Sequence, residues 1–73
     1  MTNFINQIET SLRENPHTKH YEFYVYEPNA TNEIVISGMV RSFYAKLMAQ
    51  EQVVRLIKEQ GVRAKLRNEI VVK

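Results

Sequence analysis

"IVISGMVRSFYAKLMAQ", residues 34–50, is the stretch on which the fold turns. It begins as a β-branched run, meets Gly38, and passes through Ser42 into a long apolar-striped segment. Residues 33–40 read as a strand in which Ile34, Ile36, Gly38 and Val40 alternate with Val35, Ser37 and Met39. Apolar side chains fall on both of its faces, as in an inner or covered strand. A glycine inside such a run marks a bulge or a close backbone approach. Ser42 then suits a helix N-cap, because its hydroxyl accepts from a free backbone N–H of the first turn. The helix predicted over 43–60 stops at Gly61, which fits the left-handed position past a helix end, with Val62 packing back. Its broad apolar face takes Phe43, Leu47, Ala49, Val53, Val54, Leu56 and Ile57, opposite Glu51, Gln52, Arg55, Lys58 and Glu59.

Upstream, "NFINQIETSLREN" (3–15) reads as a helix capped by Asn3, with Phe4, Ile5, Ile8 and Leu12 at helical spacing. Pro16 ends it and "PHTKH" is a short loop. "YEFYVYE" (21–27) is aromatic and β-branched and reads as a strand. Tyr21, Phe23 and Val25 share one face; Glu22, Tyr24 and Tyr26 share the other. "PNATN" supplies turn formers for a hairpin loop, and its "NAT" matches a glycosylation sequon. Downstream, residues 62–73 alternate as a strand. Val62, Ala64, Leu66, Asn68, Ile70 and Val72 face one way, and Arg63, Lys65, Arg67, Glu69 and Val71 the other.

The element order is therefore helix, strand, strand, helix, strand. The expected fold class is α+β, αββαβ: a hairpin, then a right-handed crossover to a parallel third strand. The resulting small three-stranded mixed sheet has both helices packed on one face and the other face open.

Seventy-three residues suffice for one domain, spanning 1–73, with a limited core. Apolar content of 44% and charged content of 25% are those of a globular chain. The absence of cysteine excludes disulfides and thiolate zinc sites. No signal-peptide pattern opens the chain and no segment has the length of a membrane span, so the expected location is cytoplasmic as written, or periplasmic or envelope for an excised domain. The net charge of +2 is unevenly spread. Residues 1–40 carry Arg13 and Lys19 against five glutamates, a net of −3, whereas residues 41–73 carry eight Lys or Arg against three glutamates, a net of +5. That asymmetry points to an anionic partner for the second half, or to a solvated helix face and strand face.

The motif set resembles the bacterial osmotic-shock and nodulation (BON) domain family. The resemblance rests on Gly38 and Val40 ending an apolar strand, Ser42, Lys46 and Ala49 opening a helix, then Gly61-Val62, and finally Asn68, Ile70 and Val72. It covers residues 33–73, with one residue more than the family pattern between Gly-Val and the Asn. That extra residue belongs in a bulge or at the strand start. The resemblance implies an αββαβ fold and a non-enzymatic role, attaching to phospholipid surfaces or serving as an interaction module in envelope proteins.

The remaining candidates come from the residues themselves. No nucleophile–base–orienter set can be assembled, so the chain reads as non-catalytic, and no cofactor is implied. His17 and His20, three residues apart in one loop, read as exposed loop histidines; no metal is expected. The helix start offers Arg41, Ser42 and Lys46 to a phosphate head group, although Ser42 as a plain cap, with Lys46 snorkelling from the apolar face, explains the junction better, since every helix has such an end. The open sheet face offers Arg63, Lys65 and Arg67, and mixes aromatics with cations if Tyr24 and Tyr26 share it; both faces of the first strand carry aromatics, so the residues leave its side open. An anionic lipid surface attracts such a row at about 1 kcal/mol per basic residue. Single-stranded nucleic acid suits the same mixture through stacking and phosphate contacts, as an alternative reading. A protein partner suits Tyr44 and Met48 if they stand exposed beside the charged helix face, and the sheet edges offer a homodimer contact.

Overall fold

An inner strand requires a partner on each edge, and residues 33–40 obtain both, with cover from the helices on one face. The computed structural model describes residues 2–28 and 32–73. The hairpin tip expected at "PNATN", with its "NAT" sequon, falls at residues 29–31, outside the described residues. The chain runs α1 (Thr2–Glu14), β1 (Phe23–Tyr26), β2 (Glu33–Val40), α2 (Phe43–Gln60) and β3 (Lys65–Val72). The sheet order is β1-β2-β3, with β1 antiparallel and β3 parallel to β2. This is the expected α+β, αββαβ architecture, a three-stranded mixed sheet with both helices packed on one face.

The helix-side face of the sheet takes Val25, Ile34, Ile36, Val40 and Ile70 into the core. Phe4, Ile8 and Leu12 meet them from α1, and Ala45, Ala49 and Val53 from α2. The small side chains of Ala45 and Ala49 let α2 lie close to the strands. This turns the helix so that Phe43 and Leu47, expected in its buried face, fall on its flank, 76% and 47% exposed. Gln52, expected on the charged face, is instead buried. Its Oε1 accepts from Ser11 Oγ at 2.8 Å and from Arg55 Nη2 at 2.7 Å, so the buried amide oxygen ties α2 to α1.

The ends of α2 form as its sequence dictates. Ser42 Oγ accepts from the Ala45 N–H at 3.1 Å, and Gly61 takes φ 62°, ψ 30°. The Val62 N–H then reaches back to Ile57 O at 3.1 Å, which closes the helix with a Schellman arrangement. Because Val62 serves that closure, strand pairing starts only where β2 offers an acceptor, and the Lys65 N–H donates to Asn32 O at 2.8 Å. The third strand therefore begins at Lys65 rather than Val62, and the extra residue lies before it, since the register with β2 runs unbroken from Lys65 to Val72.

Two further expectations are corrected at the other end. Asn3 lies inside α1, whose first residue is Thr2, so it is not the cap. Residues 15–21 are not an open loop: the Lys19 N–H donates to Asn15 O at 2.8 Å and the Tyr21 N–H to Thr18 O at 3.1 Å. Thr18 is fully buried, its Oγ1 donating to Leu12 O at 2.6 Å. Held in this turn, Tyr21 is not available for pairing, and β1 is four residues instead of seven.

Gly38 resolves as a close approach without a bulge, because it pairs with Phe23 and Ile70 in continuous register. Its φ is +150°, and a Cβ there would stand 2.7 Å from the Glu22 carbonyl oxygen and 3.1 Å from Phe23 Cδ1. Gly61 has open space around the same position and only its backbone angle to satisfy. Gly38→Ala is therefore expected to cost about 3 kcal/mol, from strain plus overlap, and Gly61→Ala about 1 kcal/mol. Urea unfolding midpoints of the two variants measure the difference; equal losses would contradict this account of Gly38.

Candidate binding surface

The register alone defines the open face. Tyr24 and Tyr26 on β1 stand across from Ser37 and Val35 on β2; Val35, Ser37 and Met39 stand across from Arg67, Glu69 and Val71 on β3. Among the described residues, α1 and α2 both pack on the opposite side. Tyr24, Tyr26, Met39 and Val71 are 45–63% exposed, yet Val35, in the middle of the same face, has no exposed surface at all. Its neighbours across the two pairings are Tyr26 and Arg67, a ring and a long aliphatic stem of the kind that covers an apolar neighbour on a sheet face.

Arg67 is held in that position by two carboxylates. Its Nη1 lies 3.3 Å from Glu33 Oε1 and its Nε 2.9 Å from Glu69 Oε2. Both acids belong to the same face, so Lys65 and Arg67 are balanced by Glu33 and Glu69, and the strand residues of this face carry no net formal charge. Arg63 precedes β3 and is not part of the row; with Lys65 it lines a shallow depression that also includes Glu33. The expected basic row of Arg63, Lys65 and Arg67 is thus offset by Glu33 and Glu69 on a face that also exposes Tyr24, Tyr26, Met39 and Val71.

The remaining candidates gather elsewhere. Arg41, Ser42 and Lys46 stand at the start of α2, where the Lys46 N–H donates to Ser42 O at 3.3 Å. Arg41 shares a depression with His20, Tyr21, Met39 and Lys73. Tyr44 meets the His17 ring edge-on, centroids 5.0 Å apart, and so joins α2 to the turn after α1 and not to the tyrosines of the sheet. Of the residues carrying the family resemblance, Val40 and Ala49 are buried in the core, Gly38 admits the Glu22 carbonyl, and Gly61 ends α2. Asn68 bridges to α2, its Nδ2 donating to Gln50 Oε1 at 3.0 Å. The alternation of β3 placed Val71 and Glu69 on the face of the basic row, but sequence reasoning did not add Glu33, Val35 and Met39 to it, because that takes the pairing register of β2 with both neighbours.

Among the described residues, no helix is long and apolar enough to cross a membrane. Comparison with known proteins finds no matching family model and no significant match among curated proteins or solved structures.

If the stem of Arg67 matters as cover for Val35, Arg67→Ala should lower stability by about 1 kcal/mol. Arg67→Met, which keeps a stem and loses both exposed ion pairs, should stay within about 0.5 kcal/mol of the parent. Denaturant titration at low and high salt reads both. An equal, salt-sensitive loss in the two variants would assign the effect to the ion pairs.

Proposed function

We propose that this chain is a non-catalytic binding module of BON-like type that docks a protein partner on the open face of its sheet. The observation that carries this reading is the burial of Val35 on a face otherwise populated by exposed Tyr24, Tyr26, Met39 and Val71. Such a face is already half of an interior. A partner that adds cover removes apolar and aromatic surface from water, and no strand cation need be stripped of its counter-charge. Tyrosines at its edge supply large contact area with a polar tip, the composition favoured in protein contacts. The charge balance of Lys65 and Arg67 against Glu33 and Glu69 weighs against attraction to anionic lipid or to nucleic acid at this face, because both depend on an uncompensated basic field.

A photo-crosslinking residue in place of Tyr24, introduced in the cells that make the protein, should yield a discrete protein adduct. The same residue in place of Glu59, on the outer side of α2, should not, and Met39→Asp should remove the Tyr24 adduct while the domain stays folded. In parallel, the purified chain should remain in the supernatant with anionic phospholipid vesicles at low salt. Salt-sensitive pelleting with anionic but not zwitterionic vesicles, or adducts at Tyr24 no different from those at Glu59, would reject the reading.

A further inference from the structure

β3 lies at an edge of the sheet, and its hydrogen-bond parity is set by its pairing with β2. The Lys65 N–H donates to Asn32 O and the Lys73 N–H to Val40 O, both at 2.8 Å, so the odd-numbered residues of the strand turn their backbone groups inward. The backbone groups of Leu66, Asn68, Ile70 and Val72 therefore face outward. This edge is eight residues long, without proline or bulge, and rich in β-branched side chains. A free edge of that kind is a template for another strand unless something blunts it.

One side chain does so. Asn68 Oδ1 accepts from the outward Ile70 N–H at 3.0 Å, while Asn68 Nδ2 donates to Gln50 Oε1 on α2 at 3.0 Å. The amide is thereby laid along the edge and anchored at its far end. Any strand that pairs alongside residues 68–70 needs the Ile70 N–H and must displace it.

The strand is also complementary to itself. Antiparallel pairing about a two-fold axis through Asn68 brings outward-facing residues into hydrogen-bonded positions, Asn68 against Asn68 and Leu66 against Ile70. It sets Arg67 against Glu69 of the second copy twice over, on the open face, and Leu66 against Ile70 twice over, on the helix face. We propose that the outer edge of β3 is a strand-pairing surface for a second copy of this chain, closed in the monomer by the side chain of Asn68. Opening it would join two open faces into one six-stranded face, with the Arg67 and Glu69 side chains in an alternating quartet at the seam.

Amide exchange and sedimentation test this together. In the parent chain, which should sediment as a monomer, the Ile70 amide should exchange about ten-fold more slowly than those of Leu66 and Val72, which share its outward direction. Gln50→Ala removes the anchor at a half-buried position outside the core and should speed Ile70 exchange selectively. Asn68→Val should form dimers whose population rises with concentration. Adding Glu69→Arg, which sets arginine against arginine, should disperse them, and Arg67→Glu with Glu69→Arg on the same background should restore them. Exchange at Ile70 as fast as at its neighbours overturns the proposal, even if Asn68→Val fails to fold. So does a folded Asn68→Val chain that stays monomeric, a dimer indifferent to Glu69→Arg, or a parent chain already paired through this edge.

Discussion

Ile34, Val35 and Ile36 are consecutive and all fully buried, and the rest of the molecule is arranged around that demand. A strand that hides both alternating sets of side chains needs two layers of cover. The two helices meet the even set from one side. Seventy-three residues leave no third layer for the other, as expected for a chain whose surface is large relative to its volume. Val35 is nonetheless fully buried there, set between Tyr26 and Arg67 across its two pairings. Tyr24, Tyr26, Met39 and Val71 stand exposed around it on the same face.

Polar side chains set how the layers sit on one another. Gln52 joins α2 to α1 through Ser11, Thr18 folds the turn after α1 back onto the Leu12 carbonyl, and Asn68 joins β3 to α2 through Gln50. Hydrophobic contact is tolerant of small slides between elements, whereas a buried or half-buried hydrogen bond is satisfied in one arrangement only. Each of these residues therefore contributes to the choice of one packing as well as to its stability. Asn68 illustrates the economy of the device: the bond that positions α2 also holds the acceptor over the Ile70 amide.

What was legible in the sequence follows the same division. β2 and α2 have their predicted bounds because both announce their ends in local chemistry: Ser42 and Gly61 act within one turn of themselves. The class and order of the elements followed from those two and the alternation around them. The orientation of α2 was not legible, since periodicity finds an apolar stripe but not which part of a wide stripe meets the sheet; two alanines won that position over Phe43 and Leu47. Burial of Gln52 was invisible for a related reason, its partner Ser11 lying 41 residues away. The truncations of β1 and β3 came from competition for single backbone groups, Tyr21 with Thr18 and Val62 with Ile57.

The candidate surface shows how a linear charge count differs from a field. The second half of the chain carries +5, but folding divides that excess. Arg67 is set between Glu33 and Glu69, the first of these contributed by the acidic half of the chain. Arg55 turns to Gln52, and Arg41 stands with His20 and Lys73 at the end of the sheet. Parallel pairing of β2 with β3 is what aligns Glu33 with Lys65 and places it beside Arg67. A hairpin between the same strands would have set Glu33 against the Val72 end and left Glu69 as the remaining partner of Arg67. The topology of the crossover therefore decides the electrostatic character of the open face: it sets an acidic residue of the first half against the basic residues of the second, so that the field there is that of paired charges, short in range and further screened by salt.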